Sequence, residues 1–122
     1  MLVEMLKSKI HRAVVTDKHL EYEGSITIDE TLMLAADICE NEKVHVLNIN
    51  NGERFETYVI KGKKNSGAIC INGAAARLAE KNDVIIIVSY GLMEAGERAA
   101  FRPRIVKVSL LNKIIKQKPA VI

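Results

Sequence analysis

Val44-His-Val-Leu-Asn-Ile49 and Arg54-Phe-Glu-Thr-Tyr-Val-Ile60, joined through Asn50-Asn51-Gly52, read as a β-hairpin. Both arms are rich in β-branched or aromatic residues, and Asn-Gly tolerates the positive φ values of a tight hairpin turn. Strand alternation in the second arm sends Phe55, Thr57 and Val59 to one face and Arg54, Glu56 and Tyr58 to the other. The flanking sequence continues in the same style. Residues 3–16 read as a long strand, with Lys7, Lys9 and His11 on one face and Ile10 and Arg12 opposite. Residues 83–90 hold Val84-Ile-Ile-Ile-Val88, a continuous apolar run of the kind buried on both faces. Shorter strands are expected over 20–22, 68–71 and 105–108.

Helical signals are few. Thr27-Ile-Asp-Glu30 offers Asp29 or Thr27 as a cap, followed by Leu32, Ala35 and Ala36 at helical spacing with Ile38 or Cys39 on the flank. An Ala-rich turn follows Asn72-Gly73 to about residue 80, and one or two turns over 93–100 end near Pro103. Lys61-Gly-Lys-Lys-Asn-Ser-Gly67 is a solvated basic loop, and the tail from about residue 110 is expected to be partly disordered. Many short strands with small helices, and neither repeat nor linker, predict a mainly β, barrel-like single domain that manages its edges by closure. The 122 residues suit one domain.

Composition excludes several classes of function. The net charge of +3 is mild, and two Phe, three Tyr and no Trp leave few rings on which bases could stack. A small basic β-barrel that binds nucleic acid is the alternative to an enzyme, and it would show a steep loss of affinity with salt. No run approaches the roughly 20 apolar residues of a membrane span, and Glu4 interrupts the opening residues, so neither a membrane anchor nor a signal peptide is expected. Cys39 and Cys70, with no CxxC, read as two buried thiols of a cytoplasmic protein. His11, His19 and His45 lack metal-ligand spacing, and no metal is assigned.

One further stretch, Tyr22-Glu23-Gly24-Ser25-Ile26, carries chemistry. Taken alone, its Gly-Ser pair is a turn beside a helix cap. Four stretches together, Met5-Leu-Lys-Ser-Lys-Ile-His-Arg12, Tyr22-Glu-Gly-Ser25, Asn51-Gly-Glu-Arg-Phe-Glu-Thr-Tyr58 and Ile71-Asn-Gly-Ala-Ala-Ala76, resemble the pyruvoyl-dependent aspartate 1-decarboxylases in order and spacing, over about residues 1–103. The resemblance implies a double-psi β-barrel with small helices, which periodicity alone does not reveal. It also implies self-cleavage between Gly24 and Ser25, giving a β chain of residues 1–24 and an α chain of residues 25–122. Chemically, Ser25 Oγ attacks the Gly24 carbonyl, and the ester then undergoes β-elimination and hydrolysis to leave a pyruvoyl group in place of Ser25. A glycine at 24 is expected to accept strained dihedral angles and to let the hydroxyl approach.

The implied reaction converts L-aspartate to β-alanine and CO2 through a Schiff base on the pyruvoyl group, supplying pantothenate and coenzyme A synthesis. Tyr58 matches the family's proton donor, and a phenol of ordinary pKa about 10 is protonated at neutral pH. Lys9, Arg54, Thr57, Gly73, Ala74 and Ala75 match substrate-side positions, with His11, Tyr22 and Asn72 in support. The resemblance further implies a cytoplasmic homotetramer of four α and four β chains with sites between subunits, and no nucleic-acid or membrane partner. Whether a maturation protein assists cleavage is left open. Some relatives carry Trp where Leu47 stands, so Leu47 is given no contact.

Overall fold

The computed structural model describes residues 1–119. Nine strands follow one another as β1 (Val3–Val14), β2 (Asp17–His19), β3 (Ser25–Asp29), β4 (Lys43–Asn48), β5 (Arg54–Gly62), β6 (Ile69–Asn72), β7 (Val84–Met93), β8 (Arg104–Val108) and β9 (Ile114–Lys118). Helix α1 (Glu30–Ala36) follows β3, a 3-10 turn (Gly73–Arg77) follows β6, and α2 (Ala95–Ala100) precedes β8. The strands lie in the order β2-β6-β3-β5-β4-β7-β1-β8-β9. Three neighbouring pairs are parallel (β1 with β8, β2 with β6, β3 with β5), and the other pairs are antiparallel.

A flat sheet of nine strands at about 4.8 Å spacing would be nearly 40 Å wide. Yet Ile10 of β1, Ile26 of β3, Val46 of β4, Val59 of β5, Ile71 of β6, Ile87 of β7 and Val106 of β8 share one buried cluster. The sheet therefore curls around a single core. The expected mainly β barrel with small helices is the fold observed.

The hairpin forms as its sequence dictates. Gly52 takes φ +76, Leu47 pairs with Arg54, and β5 alternates between buried or half-buried Phe55, Thr57 and Val59 and exposed Arg54, Glu56 and Tyr58. Asp29 caps α1, its carboxylate accepting from the Thr31 N–H at 2.8 Å, while Thr27 belongs to β3. The helix buries Leu32, Met33 and Ala36.

Four local expectations are corrected. First, β1 ends at Val14, and its register slips between Ile10 and Ala13. Arg12 sits in that irregularity at φ 66 and is exposed, so it does not share the buried face of Ile10. Second, the short strand forms over Asp17–His19, because parallel pairing with Cys70–Asn72 selects those residues, and 20–22 turn away from the sheet. Third, Cys39 is exposed and Cys70 half-buried, since Cys39 lies past the end of α1 and on the flank of its apolar stripe. Fourth, the tail from residue 110 contains β9, which pairs antiparallel with β8. Asn112 at φ 58 anchors it: its side chain accepts from the Val14 N–H at 2.7 Å and donates to the Val14 and Gly67 carbonyls at 2.8 Å. A charge-rich composition suggested disorder, but ladder pairing and a buried amide outweigh it. The last residues of that tail, 120–122, lie outside the described residues.

Candidate active site

β3 begins at Ser25, and here the chain passes from surface to core. Residues 20–24 are all exposed, whereas Ser25 is 0% exposed. The antiparallel pairing of β3 with β6 sets Ser25 opposite Asn72. From that register Asn72 Nδ2 donates to Ser25 Oγ at 3.0 Å and to Thr27 Oγ1 at 3.1 Å. Ser25 Oγ in turn donates to the Glu23 carbonyl at 3.2 Å. The hydroxyl is thus fixed in a buried, fully bonded position beside the Gly24 peptide group. Thr27 was read only as a cap, although strand alternation places it on the Ser25 face, and that period of two is the signal that finds it.

The strained glycine is not the expected one. Gly24 does not adopt a positive φ, and a Cβ there would meet nothing within 4 Å. Gly73 does, at φ +73, where the chain leaves β6 for the 3-10 turn. A Cβ on Gly73 would stand 2.5 Å from Gly24 Cα and 2.6 Å from Gly24 N. The Asn72-Gly73 corner therefore lies directly against the Gly24-Ser25 bend. Ala74 is exposed and Ala75 half-buried at the same corner.

Tyr22 is 63% exposed and stacks on His19, with ring centroids 4.6 Å apart. It packs on the outside of the bend, its N–H also donating to the His19 carbonyl at 3.2 Å. On the other flank β5 runs parallel to β3, with Ile26 opposite Val59. Tyr58 and Thr57 are thus the next residues back on the strand beside Ser25 and Gly24. Tyr58 is 36% exposed and Thr57 half-buried.

Two of the site cations stand further off. Arg54 is exposed, four residues up β5 from Tyr58, or about 13 Å at the usual strand rise. Lys9 and His11 lie on β1, four places from β3 in the strand order. Among the described residues neither Lys9 nor Arg54 forms an ion pair, whereas Lys7 pairs with Glu42 at 3.0 Å and also donates to the Asp37 carbonyl. Of the three β1 residues that share a face, Lys7 is committed to structure and Lys9 is uncommitted. The His11 pKa is lowered, first by desolvation and then by Lys9, Lys107 and Arg12, and its buried Nδ1 has no hydrogen-bond partner among the described residues. The structure therefore groups Ser25, Asn72, Gly73 and Gly24 with Thr57 and Tyr58 alongside, and places Arg54 further along β5 and Lys9 and His11 on β1.

No group of three or more His, Cys, Asp or Glu side chains among the described residues is arranged to hold a metal ion. No helix among them is long and apolar enough to cross a membrane.

The sequence matches a family model described as aspartate decarboxylase over residues 1–115. Among curated relatives, a protein of Caldicellulosiruptor bescii is 64% identical over 116 residues, 95% of this chain and 91% of its own. One of Pelotomaculum thermopropionicum is 62% identical over 116 residues, 95% of this chain and 88% of its own. One of Kosmotoga olearia is 63% identical over 113 residues, 93% of this chain and 96% of its own. All three are named aspartate 1-decarboxylase. With the match spanning every element that builds the Ser25 corner, the chain belongs to the aspartate decarboxylase family.

Proposed function

We propose that this protein cleaves itself between Gly24 and Ser25 and then decarboxylates L-aspartate to β-alanine. The observation that carries the reading is the Ser25 hydroxyl, buried and bonded to Asn72 Nδ2 at the point where an exposed bend enters the core. A nucleophile needs a fixed hydroxyl adjacent to the carbonyl under attack. Both donor and acceptor positions of Ser25 Oγ are occupied, by Asn72 and the Glu23 carbonyl.

A pyruvoyl group at position 25 would supply the electron sink that loss of CO2 demands. The flanking positions 24, 73, 74 and 75 are Gly, Gly, Ala and Ala, so backbone rather than bulky side chains borders it. The protein's own residues do the rest. Tyr58 delivers a proton from its phenol to the substrate α-carbon. Arg54 and Lys9 hold the β-carboxylate of aspartate. A cation on the α-carboxylate would favour the ground state, since that group departs as neutral CO2. The planar Arg54 guanidinium suits a bidentate grip. Thr57 and the 73–75 backbone line the substrate, and Asn72 and His11 support it.

Membership of the family supports an assembly in which a neighbouring copy completes the site, a homotetramer of four α and four β chains. The product would feed pantothenate and coenzyme A synthesis in the cytoplasm.

Denaturing mass spectrometry of the purified protein tests the reading. Two species, residues 1–24 and residues 25–122 beginning with a pyruvoyl group, are expected, together with β-alanine formation from L-aspartate. A single intact chain without decarboxylase activity would refute it.

A further inference from the structure

We infer that the missing side chain of Gly73 sets the position of the bond that breaks, making Gly73 a positioning residue for self-cleavage. This rests on the cleavage reading above and assigns a maturation role to a position otherwise read as substrate-lining.

The β3–β6 ladder ends at the Ser25–Asn72 pair. One residue further on, Gly24 and Gly73 come into contact backbone to backbone. A Cβ on Gly73 would lie 2.5 Å from Gly24 Cα, 2.6 Å from Gly24 N and 2.9 Å from the Tyr22 carbonyl oxygen. Ordinary contact between carbon atoms is about 3.5 Å. All three obstructing atoms are main chain, so no rotamer change relieves the overlap. Only the bend itself can give way. Ser25 cannot follow it, because its hydroxyl is held by Asn72 Nδ2 at 3.0 Å and its backbone is buried in the ladder. A methyl at 73 therefore shifts the Gly24 carbonyl relative to a stationary Ser25 Oγ, by an amount on the order of 1 Å. Displacement of that size can cost 100-fold in a positioned reaction.

Gly24 stands next to the same bond and meets none of these constraints: nothing lies within 4 Å of a Cβ there. Gly52 provides the comparison for backbone strain. It has φ +76, close to the +73 of Gly73, but a Cβ there would also meet nothing within 4 Å. Gly73→Ala and Gly52→Ala share the penalty for a left-handed alanine. They differ in burial and in that contact, Gly52 lying exposed in the hairpin turn and Gly73 buried against the bend.

The test is a maturation time course by intact mass on freshly produced precursor. Gly73→Ala is expected to mature about 100-fold more slowly than wild type, with Gly52→Ala at the wild-type rate. A parallel pair, Ser25→Ala and Ser25→Ala/Gly73→Ala, cannot cleave and reports placement by hydrogen–deuterium exchange. Faster exchange over residues 20–25 is expected in the double variant, with protection of β3 through β7 retained. Wild-type maturation in Gly73→Ala overturns the inference. So does equal slowing in Gly52→Ala, which would assign the effect to strain, or a global loss of protection in the double variant, which would assign Gly73 to folding. If wild type itself stays intact, the cleavage reading falls, and the exchange pair still decides whether Gly73 places the bend.

Discussion

The two sides of the Gly24–Ser25 bond are built differently. On the N-terminal side, residues 20–24 are exposed and lie outside any strand or helix. They are secured by the Tyr22–His19 stack, by a Tyr22 N–H to His19 carbonyl bond of 3.2 Å, and by contact with Gly73. On the C-terminal side, β3 is flanked by β5 and β6, and Ser25, Ile26 and Ile28 are all fully buried. Asp29, 1% exposed, closes that side by accepting from the N–H groups of Thr31, Asn65 and Gly67 at 2.8–2.9 Å. Few buried contacts and exposed backbone mark the low-stability end of a structure, and a doubly paired strand marks the high end. Under the proposed cleavage, the side carrying Ser25 would stay locked in the core while the upstream side is the loosely held one.

Removing the nucleophile should abolish the difference between the sides. Ser25→Ala is expected to give a folded, uncleaved and inactive chain, and two fragments from that variant would move the cleavage site elsewhere. Tyr58→Phe removes one oxygen from β5 beside Ser25 and leaves the Gly24–Ser25 bond itself untouched. Cleavage should be normal by intact mass, while β-alanine formation falls by about two orders of magnitude, the effect of losing a positioned acid. Near-normal turnover would pass the proton to another group, with His11 next in line.

Asn72→Ala releases the locked side. Two neutral hydrogen bonds, each contributing about 0.5–1.5 kcal/mol, disappear from Ser25 Oγ and Thr27 Oγ1. Cleavage should slow by roughly tenfold and the melting temperature should fall by several degrees, and an unchanged time course would show that Ser25 orients itself. Arg54→Ala should mature normally and raise the KM for aspartate by roughly 10- to 100-fold, as expected for a lost charge-assisted contact worth about 1.5–3 kcal/mol. An unchanged KM would make Arg54 a surface charge.

The smallest effect concerns His11, remote from the bond. Burial and the neighbouring cations lower its pKa below the ordinary 6.5. Between the folded and unfolded values the unfolded chain binds more protons, so stability is lost as pH falls through 6.5. Melting temperature should drop from pH 7 to 5 in wild type and drop less in His11→Asn. Parallel curves would locate the acid sensitivity in other groups.

Local pattern was enough for much of this molecule. Asn51-Gly52 with alternating arms specifies a hairpin without help from the rest of the chain, because turn dihedrals and side-chain period are near-neighbour properties. Local pattern narrowed the helix cap only to Asp29 or Thr27, and it found the β7 strand but not its half-buried face at Val84 and Ile86. The motifs shared with the family point to Ser25, Tyr58 and Asn72 from the sequence alone. What local pattern could not supply was which backbones meet. Residues 17–19 rather than 20–22 form β2 because β6 pairs there, and β9 forms because β8 and Asn112 hold it. Gly24 looked like the glycine under constraint because it precedes the serine. The constraint falls instead on Gly73, 49 residues away in sequence, since only pairing of β3 with β6 presses the two main chains together. Dihedral freedom is written residue by residue, whereas close approach belongs to pairs that only the fold brings together.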